Sequence, residues 1–217
     1  MPQLFPPYAD TVARFILVAV VVMPLPTIGV AYWVSASEYL TGRSLTYDQP
    51  IPFSHAHHVG GLGLDCRYCH TGVETSAVAG IPPTHTCMTC HSQLYTQTAM
   101  LAPVRESLAN GQPIHWNKVN KLPDYVYFDH SIHIAKGVGC TTCHGDVAQM
   151  PLVRQAEPLT MSWCLDCHRN PAPNLRPASA VFDPDWKFPG EQARSGLTLA
   201  HQAIDNKHLT DCSVCHR

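Results

Sequence analysis

The ten cysteines of this 217-residue chain fall into five pairs, each with two residues between its members and a histidine directly after it. The five strings read CRYCH, CMTCH, CTTCH, CLDCH and CSVCH. One such string arises by chance, whereas five that leave no cysteine unused indicate a shared chemical purpose. We number these motifs from one to five in chain order: Cys66, Cys69 and His70; Cys87, Cys90 and His91; Cys140, Cys143 and His144; Cys164, Cys167 and His168; Cys212, Cys215 and His216.

The CxxCH pattern is typical of haem c attachment. Its two thiols reach the two vinyl groups of one porphyrin, and the histidine that follows binds the iron as the proximal ligand. Disulfides across such short loops would stabilise little. Zinc would need four ligands per ion. Neither alternative accounts for a histidine after all five pairs, so the sequence predicts five covalently attached haem c groups.

Nine further histidines are available as distal iron ligands, and an internal repeat narrows the choice. The pattern F-x-H-x-x-H precedes the first motif and recurs before the third, and another CxxCH follows each copy. A weaker copy precedes the fifth motif, where His201 lies 11 residues before Cys212, as His55 lies before Cys66. We therefore predict as distal ligands His55, His58, His130, His133 and His201. In this scheme His55, His130 and His201 serve the motifs in their own segments, and His58 and His133 serve the second and fourth.

Alternatives remain open for some of these positions. For the fifth haem, His208, His85 and His115 compete with His201. Met150 or Met161 would replace a histidine at one iron, and a methionine ligand would raise the potential of that haem. His57 has no counterpart in the second copy of the repeat, so we predict a surface position for it.

The N-terminal part of the chain holds a run of 20 residues without a charge, residues 15–34. A helix of that length spans about 30 Å, the thickness of the hydrocarbon layer of a bilayer. A cleaved signal peptide is the alternative, but its apolar stretch is usually shorter. We predict a transmembrane signal-anchor helix over about 15–34, kinked at Pro24 and Pro26. Because haem c is attached outside the cytoplasmic membrane, the rest of this single-pass chain would be periplasmic.

The spacing of the motifs divides the chain into six parts. We predict the anchor segment over 1–34, a connector over 35–52, a first di-haem unit over 53–91, a linker over 92–127, a second di-haem unit over 128–168, and a Pro-rich segment with the fifth haem over 169–217. Five haems in so few residues leave no room for an ordinary core. The expected fold is mostly coil with short α-helices, a multihaem cytochrome c (class III-like) head on one N-terminal transmembrane helix.

Charge excludes one class of partner. The chain has 14 Lys and Arg against 16 Asp and Glu, and its formal net charge is -2. Such a chain has no basic field for nucleic acid.

No catalytic acid or base stands out in the sequence. We therefore expect an electron-transfer subunit without a catalytic site of its own.

Longer stretches resemble the pentahaem cytochrome subunit of alternative complex III, a membrane quinol:acceptor oxidoreductase. They include the residues from Phe53 to His91, LAPVRES at 101–107, Tyr127 to Gly145, QMPL at 149–152, WCLDCHRNP at 163–171, and the terminal TDCSVCHR. The resemblance covers roughly residues 50–217. It implies five haem c groups that carry quinol-derived electrons towards a periplasmic acceptor in the respiratory chain. It also implies partners: an iron–sulfur subunit related to molybdopterin enzymes, polytopic quinol-binding subunits, a mono-haem cytochrome c subunit and a soluble acceptor.

Two other functions fit the same motifs. A stand-alone membrane-anchored quinol dehydrogenase would share the anchor and the multihaem head but would oxidise quinol without polytopic partners. A multihaem reductase would need one iron with an open coordination position. Because all five motifs end in histidine and distal candidates are plentiful, the sequence favours irons with both axial positions filled.

Overall fold

The structure is a computed structural model that describes residues 5–187 and 208–216. The chain divides into two compact units, Met1–Gly42 and Arg43–Arg217. The predicted ligand His201 lies outside the described residues. All five CxxCH motifs belong to the second unit.

The first unit is helical. It contains α1 (Ala9–Val22), α2 (Pro24–Ser35) and the short α3 (Glu38–Thr41). The interruption between α1 and α2 falls at Met23, directly before Pro24. The helix begins six residues before the uncharged run, because Asp10 and Arg14 form an exposed ion pair of 2.9 Å one turn apart in α1. The most apolar 18 residues of Ala9–Ser35 have a mean hydropathy of 2.2, so this helix is long and apolar enough to cross a membrane.

The second unit consists of short helices joined by irregular chain. Its elements are a π-helical turn (Ala56–Gly61), α4 (Cys66–Cys69), α5 (Thr84–His91), a 3₁₀ turn (Ala99–Leu101), α6 (Ala102–Asn110), α7 (His130–Ala135), α8 (Cys140–His144), a 3₁₀ turn (Val147–Gln149), α9 (Met161–Arg169), 3₁₀ turns at Ala172–Asn174 and Ala178–Ala180, and α10 (Cys212–Cys215). In the residues that the structure describes, pairing between extended segments is limited to isolated bridges: Thr46–Arg154, Val126–His216 and Val138–Leu175. The predicted class, short helices and coil without strands, is confirmed.

The apolar core is small. Ten apolar residues are buried in the described part of the chain: Ile51, Val73, Val104, Val119, Val138, Ala148, Met150, Leu175, Ala180 and Val181. Leu175 and Val181, each 2% exposed, lie on the Pro-rich segment that follows the fourth motif. Residues 170–187 of that segment therefore pack onto the unit through a few buried side chains, and we call them the buried strap.

The buried strap passes tightly over the start of the third motif. Leu175 forms a bridge with Val138, and the Arg176 amide donates to the carbonyl of Gly137 over 2.7 Å. A Cβ atom at Gly139 would lie 2.2 Å from the Arg176 side chain, and one at Gly137 would lie 2.5 Å from its carbonyl oxygen. Glycine at both positions lets the strap approach the backbone that leads into Cys140.

The predicted linker 92–127 contains ordered structure that packs on the first di-haem unit. Helix α6 contacts α5, which carries the second motif. Val104 of α6 is 2% exposed, and the hydroxyls of Thr84 and Ser107 lie 2.6 Å apart across the contact. Gly111, in a left-handed conformation with φ of 62°, ends the helix.

The two predicted di-haem segments also contact each other directly. The π-helical turn packs against the 3₁₀ turn Val147–Gln149. The Ala56 amide donates to the carbonyl of Met150 over 3.0 Å. Gly60 lies so close to Ala148 that a Cβ atom would meet its carbonyl oxygen at 2.3 Å. Residues 53–91 and 128–168 are therefore joined by backbone contacts.

Candidate haem sites

Each CxxC pair lies within one helical turn. The pairs occupy α4, α5, α8, α9 and α10, and in a helix residues three apart lie on the same face. Both thiols of a motif are thus presented to one side, as attachment to a single porphyrin requires. All ten cysteines are free, and most are partly buried.

Side-chain caps begin two of these motif helices. The Asp65 carboxylate accepts a hydrogen bond of 2.8 Å from the Arg67 amide at the start of α4. The Thr160 hydroxyl accepts one of 3.4 Å from the Trp163 amide at the start of α9. Such caps satisfy amides that a short helix leaves unpaired, and so they help to hold the thiols in place.

Three motif histidines face a histidine of the F-x-H-x-x-H repeat. The ring centroids are 6.4 Å apart for His130 and His144, and these two rings are almost parallel, at 5°. The separation is 6.2 Å for His58 and His91, at 64°, and again 6.2 Å for His133 and His168, at 37°. The structure thus brings together imidazoles from distant parts of the chain at nearly one separation.

That separation fits an iron between the rings. Bonds of about 2 Å from a metal to two opposite imidazole nitrogens place the ring centroids roughly 6 Å apart. In contact with each other, the rings would lie closer. Within the described ranges no three His, Cys, Asp or Glu side chains converge as a metal site. Facing pairs of imidazoles beside paired thiols fit haem c, and they fit zinc poorly.

Backbone carbonyls fix the orientation of most of these imidazoles. In each ring Nδ1 lies within hydrogen-bonding distance of a carbonyl oxygen, so Nδ1–H donates to it and Nε2 is left for a metal. The distances from Nδ1 to the carbonyl oxygen are 2.9 Å for His58 to Ser54, 2.7 Å for His70 to Gly80, 3.2 Å for His91 to Leu94, 2.8 Å for His130 to Ala77, 2.7 Å for His133 to Asp129, 2.8 Å for His168 to Leu209 and 3.1 Å for His216 to Tyr125.

The two copies of the F-x-H-x-x-H pattern have the same arrangement of aromatic rings. Phe53 meets the His55 ring edge-on at 4.9 Å and stacks on the His58 ring at 4.3 Å. Phe128 meets His130 edge-on at 4.7 Å and stacks on His133 at 4.5 Å. One phenylalanine therefore holds two histidines in each unit, which gives the aromatic position of the pattern a physical role.

The first motif has a candidate partner in His55. Burial, reinforced by the nearby rings of His70, His58 and His144, lowers the pKa of His55 to about 4. Its Nδ1 is buried without a hydrogen-bond partner. Burial, with His130 and His70 nearby, likewise lowers the pKa of His144 to about 4. Both rings are therefore neutral at pH 7, which is the form that binds iron.

The fifth motif is described from His208 onward. His216 lies beside Tyr125, with ring centroids 5.8 Å apart, and the Tyr127 amide donates to the carbonyl of Cys215 over 2.8 Å. The alternative ligand His208 is exposed, and its Nδ1 lies 3.0 Å from the Asp211 carboxylate.

The remaining alternatives lie in ordinary protein surroundings. Met150 is 3% exposed in the core, whereas Met161 is 64% exposed at the start of α9. His57, His85 and His115 are exposed. The rings that face His144 and His168 belong to His130 and His133, so the structure places imidazoles there and not thioethers.

Two comparisons with known proteins agree with this chemistry. The family model for cytochrome c7 and related cytochrome c matches residues 126–217. The multihaem cytochrome c subunit of menaquinone reductase from Nitratidesulfovibrio vulgaris is 31% identical over 144 residues, which cover 57% of this chain and 69% of that subunit. The chain belongs to the multihaem c-type cytochromes, electron-transfer proteins that bind haem c covalently.

Proposed function

We propose that the chain binds five haem c groups, one at each motif, and that each iron lies between two histidines. The observation that carries this proposal is the separation of 6.2–6.4 Å between the ring centroids of three histidine pairs. The axial pairs would be His55 with His70, His58 with His91, His130 with His144, His133 with His168, and His201 with His216.

When bound, haem c supplies reversible one-electron chemistry at its iron. The residues of the chain determine what kind of site this becomes. Two imidazoles at one iron would leave no position for a substrate, and the carbonyls that accept from Nδ1–H leave Nε2 free to bind a metal. Residues such as Phe53 and Phe128 hold neighbouring ligands rigidly. Such sites would favour electron transfer over chemistry on a substrate at the iron.

We infer further that the chain is the pentahaem subunit of a membrane quinol:acceptor oxidoreductase of the alternative complex III type. Three observations support this: the resemblance over residues 50–217, the apolar helix Ala9–Ser35, and a relative that is a subunit of a menaquinone reductase. The haem-binding unit would lie on the periplasmic side of the cytoplasmic membrane. A polytopic partner would bind the quinol, the iron–sulfur and mono-haem cytochrome c subunits would be neighbours, and a soluble carrier would take the electrons.

The opposite direction of electron flow is a second candidate. The relative that shares 31% identity is named for the reduction of menaquinone, not for the oxidation of a quinol. The same row of haems would then carry electrons towards the membrane. The residues of this chain serve either direction, because axial ligation by two histidines favours neither oxidation nor reduction by its geometry.

The direction can be measured on the complex purified in detergent through a tag on this chain. Menaquinol is added to the oxidised complex, and haem reduction is followed at the α-band. In a second experiment menaquinone is added to the reduced complex. Rapid haem reduction by menaquinol, with release of electrons to added cytochrome c, supports quinol oxidation by the complex. Rapid haem oxidation by menaquinone alone supports menaquinone reduction.

The chain purified without partners is the control. Under the proposal it exchanges no electrons with menaquinol, since the quinol site lies on another subunit. Rapid reduction of the isolated chain would instead support a stand-alone quinol dehydrogenase. A carbon monoxide adduct at one haem of the unmodified chain would support a reductase with an open iron.

A further inference from the structure

The buried strap, residues 170–187, contacts three CxxCH motifs in succession. Asn174 donates to the sulfur of Cys167 over 3.5 Å, in the fourth motif. The Arg176 guanidinium donates to the Thr141 hydroxyl, in the third motif. The Phe182 carbonyl accepts from the thiol of Cys66, in the first motif, over 3.8 Å. Along this short segment the motifs therefore follow one another in the order fourth, third, first.

The first and third motifs are in direct contact. The Val181 carbonyl accepts from the Cys140 amide over 3.3 Å, one residue before the carbonyl that binds Cys66. The guanidinium of Arg67 lies over the Phe182 ring at 4.4 Å. The sulfurs of Cys66 and Cys140 lie within hydrogen-bonding reach of each other, so the two attachment points are neighbours in space. These contacts join two motifs that are not neighbours in the sequence.

A second set of hydrogen bonds links the first and third motifs through His130, the histidine that faces the third motif. The backbone amide and Nδ1 of His130 both lie within reach of the carbonyl of Ala77, at 3.3 and 2.8 Å. The Ser131 amide donates to the carbonyl of Ser76 over 3.3 Å. Residues 76 and 77 belong to the loop that leaves the first motif. That loop therefore supports the histidine that faces the third motif.

The second and fifth motifs lie at the two sides of this group. The hydroxyls of Tyr68 and Thr89 are 2.8 Å apart, which links the second motif to the first. His168 Nδ1 donates to the carbonyl of Leu209 over 2.8 Å, which links the fourth motif to the chain just before the fifth. The third and fourth motifs face His130 and His133, three residues apart in α7.

We propose that the five sites form a row in the order second, first, third, fourth, fifth, so that electrons enter and leave this chain at the second and fifth sites. The proposal rests on the five haems of the proposed function and adds their order. The first site, not the second, then joins the two di-haem units. If the haems followed the order of their motifs in the sequence, the first site would lie at one end of the row, where we place the second.

Substitution of one axial ligand at the first or second site tests the order. A methionine ligand raises the potential of a haem. In the variants His55→Met and His58→Met the altered haem is reduced at a higher potential than in the unmodified protein. Spectra of variant and unmodified protein, both poised between these two potentials, therefore differ in the oxidation state of that one haem. A reduced low-spin iron is diamagnetic, so its magnetic interaction with oxidised neighbours disappears from the electron paramagnetic resonance spectrum. The number of ferric signals that change then counts the neighbours of that site.

We expect two ferric signals to change in His55→Met and one in His58→Met. The reverse result, one and two, would establish the order of the sequence and overturn the proposal, and so would equal numbers. Should either variant fail to fold, His70→Met and His91→Met make the same comparison from the other side of each iron. On the unmodified protein, anomalous scattering at the iron edge gives the iron positions, and the first iron must have the second and third as its nearest neighbours.

The haem content of each variant, measured beforehand as the pyridine haemochrome, separates the two proposals. Five haems per chain with the wrong count of neighbours overturns the order and leaves the five-haem function standing. Fewer than five haems in the unmodified chain overturns the function, and the order falls with it.

Discussion

The histidines illustrate what short sequence patterns determine and what they leave to the fold. His55 and His58 both contact the Phe53 ring. The sequence alone shows that these two histidines are three positions apart. The partner of His58 is His91, which lies 33 positions further along the chain. Ligand candidates follow from a local repeat, whereas their pairing depends on tertiary contacts that no local pattern contains.

Replacement of His58 by alanine tests the ligand assignment. We expect the variant to bind carbon monoxide at one haem per chain once reduced, because the iron at the second motif keeps only His91. The measurement is the change in the Soret band on addition of carbon monoxide, calibrated against the total haem.

The adjacent His57 provides a matched control. His57 is exposed, and its ring meets that of His58 edge-on at 5.2 Å. His57→Ala should therefore leave the reduced protein insensitive to carbon monoxide. If both variants bind carbon monoxide equally, or if neither does, the assignment of His58 is wrong.

At the level of elements, tight contacts between short turns hold the two di-haem segments together. The π-helical turn Ala56–Gly61 carries His58, and it approaches the 3₁₀ turn Val147–Gln149 closely at Gly60. The sequence does not indicate this contact, because adjacent glycines such as Gly60 and Gly61 are typical of a flexible turn. Only the fold shows that the neighbour of Gly60 is a backbone carbonyl.

The variants Gly60→Ala and Gly61→Ala measure the value of this contact. A methyl group at Gly60 would meet the Ala148 carbonyl oxygen at 2.3 Å, and one at Gly61 finds its nearest atom at 3.6 Å. We expect Gly60→Ala to lower the free energy of unfolding by about 1–3 kcal/mol. For Gly61→Ala we expect a change of less than about 1 kcal/mol. Guanidinium titrations of the holoprotein, followed at the Soret band, give both values, and equal effects would contradict the close approach.

Arg176 is the residue of the buried strap that the sequence did not single out. Arginine is usually exposed, yet Arg176 is 7% exposed, and burial lowers the pKa of its guanidinium. It donates to the Asp183 carbonyl over 3.1 Å, binds Thr141, and lies 5.0 Å from the Trp186 ring centroid. Glycines 137 and 139 make room for it, and their role becomes visible only when the strap is in place.

We expect Arg176→Ala to lower the free energy of unfolding by about 2–4 kcal/mol, because it leaves a cavity at a buried position and removes the donor to the Thr141 hydroxyl and the Asp183 carbonyl. Arg169→Ala is the control. Its ion pair with Asp166, at 3.6 Å, is exposed on both sides, so its loss should cost less than about 1 kcal/mol. The same titrations compare the two. A loss for Arg176→Ala no larger than that for Arg169→Ala would show that the strap does not depend on this side chain.

The helical turns at the CxxC pairs and the fold of short helices and coil follow from the sequence, whereas the structure of the segments between the motifs does not. Cysteines three residues apart already define a helical turn, because covalent attachment to one ring requires it. The linker predicted over 92–127 contains the helix Ala102–Asn110 with Val104 buried, a detail that the motif spacing does not indicate. The N-terminal helix starts before the uncharged run because an ion pair extends it. In both regions the stabilising contacts come from residues that lie outside the CxxCH motifs and outside the uncharged run.

For the whole molecule, the apolar helix Ala9–Ser35 predicts attachment to a membrane. The double variant Leu17→Arg, Val21→Arg places two charges within this helix, at about 2.5–3.5 kcal/mol each on an insertion scale. Expressed without partner subunits, it should shift from the membrane fraction to the soluble fraction. Leu40→Arg lies beyond the helix, in α3, and should stay with the membranes. Equal distribution of the two variants would mean that the helix is not the anchor.

The short helices and small core of the second unit bring the motif cysteines and the facing imidazoles together. The ten apolar residues that are buried in the described ranges and the facing imidazoles belong to this one unit. The number of haems and the occupation of both axial positions are therefore the central claim, since the route of electrons and the absence of a substrate site both depend on them.

The pyridine haemochrome of the purified full-length chain, combined with spectra of the reduced protein before and after carbon monoxide, tests that claim most directly. We expect five haem c groups per chain and no spectral response to carbon monoxide. Fewer than five haems, or a stoichiometric response at any one of them, would contradict it.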